Sequence, residues 1–213
     1  MIDSYKVNLN SQDLKKQVKI YFETFNKDET YQHTLDVVNE LDKIHKFHDI
    51  DYDRAYKACL LHDIGRVVKK EDLIAFCEEQ GHEFLEGERD LPNILHQIAS
   101  RILAEKVFYI TDPDILSAVQ CHTTLKNHPS YLEEVVFLAD KLSWKEKVHE
   151  ESVMALKSLM ENSIEAAIYH YLAAMHSDQH NMICYHNWSR DAYNYYNKRQ
   201  NQNHVSHFKK KDD

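Results

Sequence analysis

The stretch CLLHDIGR, residues 59–66, ends an apolar run in an imidazole and a carboxylate, groups that bind metals, move protons and stabilise charge. A His-Asp pair alone means little in a chain with 15 His, and a second pair, His48-Asp49, is also followed by Ile. What separates the two is their surroundings. His62 continues the helical stripe Ala55, Ala58, Cys59, whereas His48-Asp49 lies in the charged stretch KFHDIDYD and reads as surface. Four further polar residues interrupt apolar stripes in the same way. His33 leads Val37, Leu41 and Ile44; His96 leads Ala99, Ser100 and Leu103; His122 closes Ile115, Ala118 and Val119; Asp140 follows Val136 by one turn.

Each of these alone has an ordinary reading, a hydrogen-bonded core residue. A buried Asp is rarer, because a carboxylate taken out of water needs a cation or donors. Four imidazoles and two carboxylates converging in one core satisfy each other poorly, and a metal satisfies them well. Mixed N and O donors suit a first-row divalent ion such as iron, manganese or zinc. An open catalytic site often uses about three protein ligands. Six are enough for two ions if one carboxylate bridges, and ions about 3.5–4 Å apart can generate a hydroxide and clamp both oxygens of a phosphoryl transfer.

The elements that must position these groups are helical. Three Gly and three Pro in 213 residues predict an all-α fold, a single compact helical bundle. Periodicity and start signals place helices over a stripe from Leu14 to Phe25, capped by Ser11, and over 30–48, 52–63 and 71–79. Further helices are expected from Pro92 to about 107, from Asp112-Pro113 to about 123, from a capping box at Ser130 through 142, and over 151–175 and 188–198. The chain divides into an N-terminal helix (1–27), the domain proper (28–200) and a polar tail (201–213), in which Lys209-Lys210-Lys211 is expected to be solvated.

Composition excludes several functions. With Gly only at 65, 81 and 87 there is no phosphate-cradling glycine loop. A net charge of −9 argues against nucleic-acid binding, and no apolar stretch approaches the length of a membrane span. The N-terminus lacks a signal-peptide core, and Cys59, Cys77, Cys121 and Cys184 form no CxxC pair. Reduced thiols in a cytoplasmic protein are expected, with homodimerisation left open.

The ordered set His33, His62-Asp63, Asp140 resembles the H…HD…D pattern of the HD-domain metal-dependent phosphohydrolases. The closer likeness is to their YqeK-like branch, the symmetrical bis(5'-nucleosyl)-tetraphosphatases, which split diadenosine tetraphosphate into two ADP. It is carried by YQHTLDVV (31–38), LLHDIGR (60–66), NILHQIASRILAE (93–105), DILSAVQCHTT (114–124), VVFLADKL (135–142) and YHNWSRDAYNYY (185–196), and covers roughly 28–200. The resemblance implies an HD-domain helical fold, a nucleotide substrate and a pair of divalent ions, usually iron. One ion would take His33, His62, Asp63 and Asp140; the other Asp63, His96 and His122, with Asp63 bridging.

It also implies catalytic roles for Asp63 and Arg66, and substrate contacts from Arg66, Thr123, Thr124 and Lys141. A water bridging the ions would attack phosphorus. This chain departs from the branch where substrate is read. Arg66 replaces a Lys, Leu125 replaces a Gly after Thr123-Thr124, and Lys141-Leu142-Ser143-Trp144-Lys145 replaces an Ile-Glu-Pro segment. Another nucleotide as substrate, or a non-catalytic nucleotide- or metal-sensing module, are the competing readings.

Overall fold

A computed structural model describes residues 1–145 and 150–209, and these form ten α-helices joined by 3-10 turns and loops, with no strand among the described residues. The helices are α1 (Leu14–Thr24), α2 (Asp28–Phe47), α3 (Tyr52–Leu61), α4 (Leu73–Glu79), α5 (His96–Lys106), α6 (Pro113–Cys121), α7 (Tyr131–Leu142), α8 (Glu150–Met160), α9 (Ile164–Ser177) and α10 (Asn187–Lys209). None is long and apolar enough to cross a membrane.

α3 packs against α2, α6 and α7, and its last residues, Ala58 to Leu61, are fully buried between them. α9 closes the far side against α7, α8 and α10. Three of the four cysteines are buried, Cys184 is half-buried, and all four are free thiols.

Several start signals act as expected. Asp112 accepts from the Asp114 N–H ahead of Pro113, and Ser130 and Glu133 close a reciprocal capping box. Other expectations are corrected. Asp13, not Ser11, caps α1, while the Ser11 hydroxyl accepts from the Asp13 N–H. α2 starts at Asp28, where two acids in the first turn suit the helix dipole. Residues Lys70–Asp72 and Pro92–Leu95 are 3-10 turns, so α4 and α5 begin later than periodicity suggests. The expected 151–175 helix is two, because Ser163 breaks off α8 and caps α9 through the Ala166 N–H. α10 continues past 198 to Lys209; Lys210 and Lys211 lie outside the described residues.

The helix expected over 52–63 also stops early. His62 keeps helical torsions, but Asp63, at φ −109° and ψ 10°, leaves the helix into a 3-10 turn over Ile64–Val67. That turn lies directly on α5. The Gly65 N–H donates to Ser100 Oγ at 2.8 Å, and a Cβ on Gly65 would sit 2.2 Å from the His96 carbonyl oxygen and 2.4 Å from the Ser100 nitrogen. Glycine is what allows this approach.

Leu125 takes the left-handed conformation, φ +58°, at the place where the resembled branch carries Gly. Its side chain is fully buried, and that burial offsets the backbone strain. Farther off, the loop before α5 is tied to α10. Buried Glu88 accepts from His82 Nε2 at 2.8 Å, from His186 Nε2 at 3.1 Å and from the Leu85 N–H at 2.8 Å. Burial alone would raise the Glu88 pKa, but these bonds outweigh it and pull it down to about 2.

Candidate metal centre

Five elements each bring their expected residue to one place. His33 comes from α2, His62 and Asp63 from the end of α3, His96 from the start of α5, His122 from the end of α6 and Asp140 from α7. All but His33 are buried; His33 is partly open to solvent.

Three of the imidazoles are oriented by their own helices. Nδ1 of His62, His96 and His122 lies 2.8, 2.6 and 2.8 Å from the carbonyls of Cys59, Asn93 and Val119, each three residues earlier. A carbonyl only accepts, so Nδ1 carries the proton and Nε2 presents a lone pair inward. Those Nε2 atoms meet. His33 Nε2 is 3.3 Å from His62 Nε2, and His96 Nε2 is 3.1 Å from His122 Nε2. The facing lone pairs of His96 and His122 repel at that distance unless a cation lies between or beside them.

Asp63 sits between the two pairs. Its Oδ1 lies 3.2 Å from His96 Nε2 and 3.4 Å from His122 Nε2, and its Oδ2 lies 3.7 Å from His33 Nε2 and 3.6 Å from His62 Nε2. Oδ1 is buried and accepts no hydrogen bond, a costly state for a carboxylate. Asp140 completes the first pair, with Oδ1 at 3.1 Å from His33 Nε2 and 3.9 Å from His62 Nε2. The donor set thus fits divalent metal: three imidazoles with tautomers fixed from behind, a fourth beside Asp140, two carboxylates, and an orphaned oxygen aimed inward. Two overlapping groups, His33-His62-Asp140 and His62-Asp63-His122, have ligand atoms within 4.8 Å of one another.

Protonation agrees with this chemistry. Burial pushes His62 down to about 4 and lowers His122, so both are neutral at pH 7, as ligation requires. Burial also opposes charge on the two aspartates, but the cations beside them, Lys141 at Asp140 and Arg66 at Asp63, act against it, and both carboxyls stay well below the usual range. At His33, the bond to Asp140 overcomes burial and raises the pKa.

The residues expected to contact substrate divide. Arg66 Nε bonds Asp63 Oδ2 at 2.6 Å, and its side chain, 39% exposed, lines a cavity of about 920 Å³ that opens on His33, Asp63 and Asp140. Thr123 lines the same cavity, with Oγ1 3.0 Å from His122 Nε2 and 3.2 Å from His96 Nε2. Lys141 reaches the cavity wall but is 2% exposed; its Nζ bonds Asp140 Oδ2 at 2.8 Å and lies within 5.0–5.8 Å of the ring centres of Phe137, Trp144 and Tyr171. Its ammonium is committed to a metal-ligand candidate and an aromatic cage. Thr124 does not line the cavity; it is buried and bonded to Gln97 and Leu125.

His48, expected at the surface, is half-buried and bonds the Met160 carbonyl through Nε2, while Asp49 is exposed; neither reaches the centre. The sequence reading missed Ser143, whose hydroxyl lies 3.5 Å from His33 Nδ1 while donating to the Asp140 carbonyl, and Gln97, fully buried beside His96. The signal for Gln97 was present: a polar side chain between His96 and Ile98 at the head of an apolar helix.

The HD domain family profile matches residues 30–145, which include His33, His62, Asp63, His96, His122 and Asp140. A Lactococcus lactis subsp. cremoris protein described as "Uncharacterized protein in pepC 5'region" is 47% identical over 95 residues, 45% of this chain and 49% of that protein. The symmetrical bis(5'-nucleosyl)-tetraphosphatase of Halalkalibacterium halodurans is 27% identical over 114 residues, 52% of this chain and 58% of that protein. The chain thus spans about half the length of the curated relatives it matches. Among solved structures, a predicted HD superfamily hydrolase involved in NAD metabolism from Clostridium acetobutylicum superimposes with a TM-score of 0.77 at 25% identity, covering 86% of this chain and 96% of that one. With the matched segment carrying the whole His–Asp cluster, the chain belongs to the HD domain family.

Proposed function

We propose that the protein is a binuclear metal-dependent phosphohydrolase of nucleoside polyphosphates, cleaving diadenosine tetraphosphate symmetrically to two ADP in the cytoplasm. The observation that carries this reading is the convergence of four Nε2 atoms on the two oxygens of one buried carboxylate, Asp63. His33, His62, Asp63 and Asp140 would hold one ion, and Asp63, His96 and His122 the other, iron being the pair that the resembled branch uses. When bound, such ions supply Lewis acidity and an activated water.

The chain's own side chains do the rest. Arg66 stands at the cavity with a fixed positive charge and a forked donor set suited to phosphate. The partial exposure of His33 supports an approach from the side of α2. Buried His62, His96 and His122, with Nδ1 protons fixed on backbone carbonyls, keep bulk water from the far side of the centre. ADP is a good leaving group, so no strong general acid is needed, and none is assigned. The tetraphosphatase relative from Halalkalibacterium halodurans supports the choice of substrate.

A second reading, hydrolysis of another nucleotide, is favoured by Lys141, Ser143, Trp144 and Lys145, which line the cavity where the resembled branch carries other residues. The test is metal analysis of protein purified without chelator, paired with product identification on a substrate panel. Two ions per chain and ADP from diadenosine tetraphosphate are expected. Cleavage of mono- or triphosphates in preference would favour the second reading, and a metal-free, inactive protein would remove both.

A further inference from the structure

Gln97 is fully buried one residue after His96, and nothing above gives it a task. A buried amide must find partners for both ends. These lie across the core, on the residues that follow His122. Gln97 Oε1 accepts from the Thr123 N–H at 3.3 Å, and Gln97 Nε2 donates to Thr124 Oγ1 at 3.2 Å. The Thr124 hydroxyl donates in turn to the Leu125 carbonyl at 2.9 Å. The Thr124 carbonyl accepts from Ser189 Oγ at 2.9 Å, and Ser189 is buried in the first turn of α10, outside the family-matched segment. One run of hydrogen bonds therefore joins the start of α5, the end of α6 and α10.

What this run grips is the spacing of two imidazoles. The Nδ1 bonds of His96 and His122 each stay within their own segment, so they orient each ring without fixing it against the other. The facing lone pairs, 3.1 Å apart, push the rings apart, and the single Thr123 hydroxyl has one proton for two acceptors. The amide of Gln97 ties the backbone beside one histidine to the residues beside the other. No Gln97 bond reaches His33, His62 or Asp140.

We infer that Gln97 is a positioning residue for the His96/His122 half of the centre, holding the two imidazoles at a separation at which they can share an ion, with Ser189 carrying α10 into the same support. The inference rests on the two-ion reading. It makes the two halves separable, because an uncharged substitution at Gln97 weakens one and spares the other.

The experiment is a titration of chelator-stripped protein with manganese(II), followed by calorimetry and by metal analysis, on the full chain and on Gln97→Leu. Wild type should take up two ions in two affinity classes. Gln97→Leu, similar in size but without either polar end, should keep the tighter class and bind the second ion roughly 10–100-fold more weakly, the usual cost of losing a group that orients a ligand. Thr124→Val cuts the same bond from the other side while keeping shape, and should show the same selective loss; it carries the test if Gln97→Leu fails to fold by circular dichroism. Equal weakening of both classes, or none in a folded variant, would overturn the inference and leave the two-ion reading intact. A wild-type protein that binds fewer than two ions would overturn both.

Discussion

Asp63 Oδ1 faces His96 Nε2 across 3.2 Å of buried space, acceptor against acceptor, with no hydrogen bond at the carboxylate oxygen. A folded chain tolerates such an arrangement when a cation neutralises it. In Asp63→Asn, an amide can donate to that same lone pair, but one oxygen can no longer serve each side. The variant should therefore lose both ions while its metal-free form melts no lower than chelator-stripped wild type. Metal content and thermal unfolding on the same samples test this, and retention of both ions would end the bridging assignment.

Arg66 touches Asp63 Oδ2 at 2.6 Å and also lines the cavity. It is no ligand, so Arg66→Ala should keep the metal content. It should lower kcat/KM by about 2–4 kcal/mol in transition-state terms, the scale for one charge-stabilising donor in a closed site. Arg66→Lys should recover part of the loss because the point charge survives. A larger loss on a tetraphosphate-bridged dinucleotide than on a nucleoside monophosphate would assign Arg66 to the phosphate chain. Equal small losses would make it a partner of Asp63 only.

His48 shows where reading the sequence falls short. The pair His48-Asp49 lies in a charged connection, and that is correct for Asp49, which is exposed; but the His48 ring folds back to bond the Met160 carbonyl at the end of α8. Nothing in residues 46–53 announces a partner more than a hundred positions away. His48→Ala should cost about 1 kcal/mol, the net worth of a hydrogen bond, and Asp49→Ala less than about 0.5 kcal/mol. Neither should change metal content, and urea unfolding beside metal analysis would expose any error in that separation.

Five of the six candidate ligands were legible because each is a polar side chain on an apolar helical stripe, a pattern local to one element, and Asp63 because it follows His62 at the end of such a stripe. Capping at Asp112 and Ser130 was legible for the same reason. What could not be read depends on pairs of elements. Lys141 looked like a cation for phosphate, yet the packing of α7 on α9 turns it to Asp140 and an aromatic cage. Thr124 looked like its neighbour Thr123, but one residue of rotation sends it into the core toward Gln97. The break between α8 and α9 hinges on Asn162-Ser163, where Ser163 leaves the helix to cap the next one.

The buried histidines make the metal-free protein acid-sensitive within a defined window. Burial pushes His62 from its ordinary value of 6.5 down to about 4. Below pH 6.5 the unfolded chain takes up a proton that the folded chain refuses until about pH 4, so stability falls as pH drops through that interval. A shift of this size corresponds to about 3 kcal/mol. His122, lowered by burial, acts in the same direction. His33 opposes them, since its raised pKa contributes stability on the acid side. Urea midpoints of chelator-stripped protein should therefore decline from pH 7 to pH 5, and His62→Gln should flatten the decline. A midpoint that holds or rises on acidification would contradict the burial of a neutral His62.

Gly65 gives the sharpest steric test of how the fold sets the site. It lies two residues after Asp63, in the turn that leaves α3, and its backbone rests on the first turns of α5. A methyl group there would meet the His96 carbonyl oxygen at 2.2 Å and the Ser100 nitrogen at 2.4 Å, both main-chain atoms that no rotamer change can move. Gly65→Ala must push the turn and α5 apart. These are the segments that carry Asp63 and His96, so the 3.2 Å approach between them is what lengthens. The expected cost is about 1–3 kcal/mol of overpacking, with weaker binding of the ion on the His96/His122 side than of the one on the His33/His62 side. Ser100→Ala is the control. It removes the hydroxyl that accepts from the Gly65 N–H but adds no bulk, so it should cost stability without separating the two affinities. Were Gly65→Ala to match wild type in both stability and metal binding, the close packing of this turn on α5 would have no part in holding the centre together.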